Sequence, residues 1–132
     1  MKSGIKGTAM RATRVSQKDG IVVLTPRHDL VGGKESDELQ YLIHDFCKRG
    51  NQYLIVDLQK VRIVNAAGLR AMEEGLRCFL SLGAQLKVCN ATRRINWFVT
   101  MFALARRFEL YETIPHAIAS FESESGTSLV EA

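Results

Sequence analysis

The sequence predicts an α/β domain in which an initial β-hairpin is followed by strands and helices in alternation. Three stretches carry that prediction. Tyr53-Leu54-Ile55-Val56-Asp57-Leu58 is a short, nearly unbroken apolar run, the pattern of a strand covered on both faces in the middle of a sheet. Ile21-Val22-Val23-Leu24 is a second β run, and Asp19-Gly20 just before it is a hairpin turn signal. From Leu69 the period changes, and Leu69, Met72, Leu76 and Phe79 recur at helical spacing. Strands that hand over to helices along the chain imply parallel neighbours joined by right-handed crossovers.

The elements follow in order. Residues 1–9 are small and polar and are expected to form a loose tail. Arg11 to Ser16 alternates weakly, as an edge strand does, and Gln17-Lys18-Asp19-Gly20 turns it into the Ile21 run. Pro26 ends hydrogen bonding on one side of that strand. Arg27 to Gly33 is a loop. Ser36 to Arg49 is an amphipathic helix with Leu39, Leu42, Ile43, Phe46 and Cys47 on one face, closed by Gly50. The central strand comes next. The helix that begins near Asn65 runs to about Leu82 and stops at Gly83, with Glu73 and Arg77 four apart on its outer side. Gln85 to Cys89 reads as another strand. Thr92 caps a third helix whose apolar face is Ile95, Phe98, Val99, Phe102 and Leu104. Phe108 to Tyr111 is a short strand, and Thr113 and Pro115 open a last helix with Ile114, Ala117, Ile118 and Phe121 inward. Glu122 to Ala132 is acidic and small and is expected to fray. No internal repeat or dividing linker is present, so residues 10–121 read as one domain between flexible tails, 1–9 and 122–132.

A chain of 132 residues buries a real core without cross-links. A 46% hydrophobic and 24% charged composition is that of an ordinary soluble protein, and no apolar run has membrane-spanning length. The positively charged start has no apolar segment behind it, which favours the cytoplasm over secretion. The net charge is +4, and basic residues cluster early (Lys2, Lys6, Arg11, Arg14, Lys18) and late (Lys87, Arg93, Arg94, Arg106, Arg107). Nucleic-acid binding wants a basic face with interleaved aromatics. Trp97 and Phe98 do lie beside Arg93 and Arg94, but at the spacing of a helix core. A solvated basic face matched to an acidic protein partner is therefore expected, and no nucleic acid. Cys47, Cys78 and Cys89 form no CxxC pair and have no histidine at ligand spacing, so all three are expected to be reduced core thiols and no metal or other cofactor is expected.

The stretch Val61-Arg62-Ile63-Val64-Asn65-Ala66-Ala67-Gly68-Leu69 delivers the central strand to a helix start, where α/β proteins place function. Asn65 is a good N-cap, and Gly68 lets another chain or ligand approach the first turn closely. Each candidate residue also has a structural role open to it. Asn65 can be only a cap, Ala66 and Ala67 only helix formers, Asp29 a loop cap and Asp57 a hydrogen-bond acceptor. Arg70, Glu73, Glu74 and Arg77 can be partner contacts or a solvated face. His28, His44 and His116 share no motif, and the alanines supply no nucleophile, so an enzyme is not expected.

Two patterns resemble a known family. Leu24-Thr25-Pro26-Arg27-His28-Asp29-Leu30 is similar to the strand-to-loop segment of STAS domains, the group named for sulfate transporters and anti-sigma factor antagonists. Val56-Asp57-Leu58 followed by Ile63-Val64-Asn65-Ala66-Ala67-Gly68-Leu69 resembles that family's Asp-Leu-Ser…Asp-Ser-Ser-Gly-Leu motif. Leu86-Lys87-Val88-Cys89-Asn90 and Leu104-Ala105-Arg106-Arg107-Phe108-Glu109-Leu110-Tyr111 are similar to later family segments, so the likeness covers about residues 10 to 121.

The resemblance implies a STAS-like mixed β-sheet with helices packed mainly on one face. It also implies a stand-alone, non-enzymatic regulator that binds a protein, often an anti-sigma factor with kinase activity, through the helix starting at the motif. In that family the partner phosphorylates a motif Ser or Thr, and the added charge ends the complex. Here the motif is degenerate over Asn65, Ala66, Ala67, Gly68 and Leu69. The motif Asp is Asn65, and both hydroxyl positions are alanine. The implied reading is a constitutive binder with Asp29, Asn65, Ala67, Arg70, Glu73 and Glu74 as partner-binding residues, and Thr25 or Thr92 as other hydroxyls open to modification. The alternatives are a STAS subunit docking on a transporter ATPase and a small-ligand or nucleotide module at the Asn65–Gly68 helix start. The second lacks a Gly-rich phosphate loop with a Lys. Pairing of two copies through apolar residues near the motif stays open.

Overall fold

A computed structural model describes residues 12–101 and 109–131. The expectations for residues 1–9, Arg11, Phe102, Leu104, Arg106, Arg107, Phe108 and Ala132 fall outside them. β1 (Thr13–Lys18) and β2 (Ile21–Pro26) form the hairpin. Asp19 and Gly20 between them take φ of 54° and 80°, the pair of positive values that a two-residue primed turn requires. The chain continues as α1 (Lys34–Lys48), β3 (Tyr53–Asp57), α2 (Ala66–Ser81), β4 (Gln85–Cys89), α3 (Arg93–Met101), β5 (Glu109–Tyr111) and α4 (Ile114–Glu131). The sheet order is β1-β2-β3-β4-β5, antiparallel at β1/β2 and parallel elsewhere.

Alternation along the strands divides the core in two. Leu54 and Val56 of β3 and Leu86 and Val88 of β4 join the inner faces of α1, α2 and α3 in the larger cluster. Ile55 and Cys89, on the opposite face, pack with Ala117 and Phe121 of α4. Helices thus lie mainly on one face, and α4 covers part of the other. That helix spans Ile114–Glu131.

Three expectations are corrected. Trp97 is 64% exposed rather than core, because it sits two residues, about 200°, from the buried Ile95 on the helix. Lys87 is not part of a solvated basic face but 1% exposed. It is ion-paired to Glu109 at 2.7 Å, bonded to Ser120, and set over the Phe121 ring. Cys47 and Cys78 are joined in a disulfide, with Cα atoms 6.5 Å apart, so the reduced-thiol expectation holds only for the buried Cys89. The bridge follows from how α1 and α2 cross. A Cβ on Gly75 would lie 2.3 Å from Ile43 Cγ2, so the helices approach closely there and bring Cys47 and Cys78 together about one turn further on. Burial, then the nearby Asp57 carboxylate, push the Cys89 thiol up to about 12. Among the described residues no helix is long and apolar enough to cross a membrane.

Candidate functional site: a two-loop platform at the head of α2

The parallel strands β2, β3 and β4 deliver their C-terminal ends to one corner, which a buried carboxylate ties together. Asp57 accepts from Thr25 Oγ1 at 3.3 Å, Asn90 Nδ2 at 2.8 Å, the Gln59 amide nitrogen at 3.1 Å and Gln59 Nε2 at 2.5 Å. It has no exposed surface and acts as a structural acceptor.

Beyond β3 the chain from Val61 to Val64 runs beside the loop after β2. Leu30 and Val64 form a parallel bridge, the Leu30 amide donates to Ile63 O at 3.0 Å, and the Asn65 amide donates to Leu30 O at 3.1 Å. Asp29 caps not its own loop but the neighbouring one. Its Oδ1 accepts from the amides of Arg62 at 2.9 Å and Ile63 at 3.1 Å. Asn65 acts at both ends of its amide. Oδ1 accepts from the Gly68 amide at 3.0 Å as the N-cap of α2, and Nδ2 donates to Val31 O at 3.1 Å. Loops 29–32 and 61–65 and the head of α2 are thereby one hydrogen-bonded platform.

The sequence-expected binding residues divide on this platform. Ala66, Ala67 and Arg70 are exposed, while Gly68 and Leu69 are buried beneath them. Glu73 is half-buried and paired with Arg77 at 3.3 Å, and Glu74 is hydrogen-bonded to Gln40 of α1. Both glutamates are therefore partly engaged within the fold. Of the other hydroxyls, Thr25 is buried against Asp57, whereas Thr92 is exposed and accepts from the Ile95 amide at 3.1 Å as the cap of α3. Among the described residues no group of three or more His, Cys, Asp or Glu is placed to hold a metal.

Sequence reasoning missed one part of this surface. A cavity of about 340 Å³ opens between the 62–64 segment and α3, bounded by Arg62, Ile63 and Val64 on one side and Arg94, Ile95 and Trp97 on the other. The available signal was the position of Trp97 on the far side of α3 from Ile95 and Val99.

The family model for the STAS domain matches residues 12–117. The chain belongs to the STAS domain family. No curated protein matches it at the level of sequence. The STAS fold is shared with an anti-sigma factor antagonist of Mycobacterium paratuberculosis, at 22% identity, TM-score 0.66, covering 82% of this chain and 91% of that one. RsbS of Moorella thermoacetica, in a serine-to-glutamate variant, matches at 14% identity and TM-score 0.73, over 86% of this chain and 97% of that one. The murine Solute Carrier 26 family member A9 anion transporter matches at 16% identity and TM-score 0.70, over 89% of this chain but only 20% of the transporter. At these identities the likeness is one of fold.

Proposed function

We propose that this STAS chain is a non-enzymatic, protein-binding regulator of the anti-sigma factor antagonist kind. It holds an anti-sigma factor or kinase-like partner on the platform around Asn65–Leu69 and the outer side of α2, with no phosphorylation switch at that place. The observation that carries the reading is the head of α2 itself. Ala66 and Ala67 stand exposed on a platform where the Asp29 and Asn65 side chains are spent on backbone groups. Such a surface offers shape and small side chains to a partner, and no hydroxyl or thiol that could be acylated or phosphorylated. The solved STAS structure described as an anti-sigma factor antagonist supports the same reading.

The test is co-purification from native lysate with the wild type and with Ala67→Glu, which places a negative charge where the resembling motif carries its phosphate. The expected result is capture of a kinase-like anti-sigma factor by the wild type and its loss in the variant. The captured partner with ATP should then phosphorylate an Ala67→Ser variant and leave the wild type unmodified. Equal capture by wild type and Ala67→Glu overturns the platform as the interface, and phosphate on wild-type Thr92 overturns the unswitched state. Recovery of a transporter ATPase in place of a kinase moves the chain to the docking-subunit reading. The one observation favouring that reading is the fold shared with an anion transporter.

A further inference from the structure

We infer that the groove between the 62–64 segment and α3 is the seat of an acidic protein segment carrying an apolar anchor. This deepens the binding role proposed above and rests on it. Ile63 is 48% and Trp97 64% exposed, and both line the same depression, whose walls are completed by Val64, Ile95 and the half-buried Phe98. Large apolar side chains exposed together beside a polar rim mark an interaction site. Tryptophan and arginine are the residue types that carry most binding energy where an interface has a centre. At about 340 Å³ the groove lies near the low end of the ~300–1,000 Å³ usual for ligand pockets, so it suits side-chain anchors better than a whole cofactor.

Charge selects the occupant. Arg62 and Arg94 flank the groove, and among the described residues no Asp or Glu lines it and neither arginine has an ion pair. On the other side of Arg62 a second, shallower depression is lined by Arg27, Lys60, Asp29 and Glu35. The Asp29 carboxylate in it accepts from the amides of Arg62 and Ile63, and it and Glu35 together face three cations, Arg27, Lys60 and Arg62, a net positive balance. An acidic segment is complementary to this field. A second copy of the chain, at net charge +4, is not. A nucleic-acid strand would want several stacking aromatics along a continuous basic track, whereas this groove has an aliphatic floor and one fully presented aromatic ring. The walls are also pre-set. Asp29 holds the backbone of Arg62 and Ile63, and Thr92 caps α3, so docking orders little that was loose.

Trp97 is the single tryptophan of the chain, so its emission reports the groove directly. The probe is a tryptophan-free synthetic peptide with Leu and Phe one helical turn apart among Glu and Asp. The controls are the same peptide with Lys for every acid, a glutamate-only peptide of equal length, and a single-stranded oligonucleotide. The expected result is a saturable blue shift with the acidic, apolar peptide alone. Arg62→Glu and Arg94→Glu should each weaken it about tenfold at low ionic strength, with the gap narrowing as salt rises. Both arginines are exposed, and unchanged circular dichroism verifies that the variants fold. Absence of a saturable shift overturns the inference, as does an equal shift with the Lys peptide. A tighter shift with the oligonucleotide, or one that follows protein concentration alone, assigns the groove to nucleic acid or to a second copy and likewise overturns it. The two readings fail separately. Loss of the captured partner in Ala67→Glu but not in Arg94→Glu removes the groove and keeps the regulator. A peptide shift in a wild type that retains no partner keeps the groove and removes the regulator.

Discussion

The carbonyl oxygen of Leu30 occupies the place where a side chain on Gly68 would begin. A Cβ built there would lie 2.0 Å from that oxygen, which itself accepts from the Asn65 amide. The obstacle is backbone on both sides, so neither partner can rotate away. Gly68→Ala is expected to lower stability by about 3 kcal/mol, at the upper end for overpacking, because it must part the two loops. A denaturant midpoint measured with unchanged m-value is the readout, and a loss below the size of an ordinary surface substitution would refute the close approach.

Asp29 can be told apart as a loop pin or a charged contact. Asp29→Asn keeps an Oδ1 acceptor for the amides of Arg62 and Ile63, and Asp29→Ala keeps none. The alanine variant should be less stable by about 2 kcal/mol and the asparagine variant by less than half of that. Partner capture should survive in Asp29→Asn, since the charge itself touches only backbone. Loss of capture in a stably folded Asp29→Asn would make the carboxylate a direct contact.

The Cys47–Cys78 bridge spans 31 residues of sequence. Chain-entropy arguments put its contribution at up to about 3.5 kcal/mol. Reductant should therefore lower the thermal midpoint of the wild type and leave Cys78→Ser unchanged. Cys89 should resist alkylation in the native state, since its thiol is pushed up to about 12. Rapid native-state labelling of Cys89, or a midpoint indifferent to reductant, would refute these placements.

On the opposite face of the sheet, Glu109 is drawn below its usual value of 4.5. Burial opposes ionisation there, but the Lys87 and Tyr111 hydrogen bonds and the Lys87 charge outweigh it. The carboxylate therefore binds protons less readily folded than unfolded. Its contribution is present above the ordinary glutamate range and is lost as pH falls through the lowered folded value. Stability should decline on acidification in that window, and Glu109→Gln should flatten the decline while destabilising the protein at neutral pH, where Lys87 stays buried with a weaker partner. Parallel pH dependence in wild type and variant would contradict the pairing.

What could be read in advance was what local chemistry decides. Asp19-Gly20 can make almost nothing but a hairpin, Asn65 three residues before Gly68 is a cap, and the unbroken Tyr53–Asp57 run has to be a covered strand. The misplaced residues are those whose setting depends on a distant element. Lys87 looks like any surface lysine until α4 is known to cover its face of the sheet with Ser120 and Phe121. The pairing of Cys47 with Cys78 follows from the crossing of two helices at Gly75 and Ile43, which spacing does not encode. Trp97 was legible but misread, because its neighbour Phe98 does lie on the core side. In the candidate site Asn65 is the expected cap, the close approach at Gly68 is made by Leu30 of the same chain, and Asp29 serves the segment 33 residues further along the chain.

The asparagine at the head of α2 has an electrical consequence. The first turn of α2 holds no acidic residue, and its cap is an uncharged amide. The helix macrodipole, worth roughly half a positive charge at this end, is therefore left uncancelled, where an aspartate would have neutralised it. Relative to the resembling motif, the platform is more positive by a full formal charge without gaining a single basic side chain. A negatively charged partner would be drawn to it over a distance of about one Debye length, roughly 10 Å at 0.1 M salt, before any contact forms. The association rate, more than the lifetime of the complex, is where the change from aspartate to Asn65 would be felt.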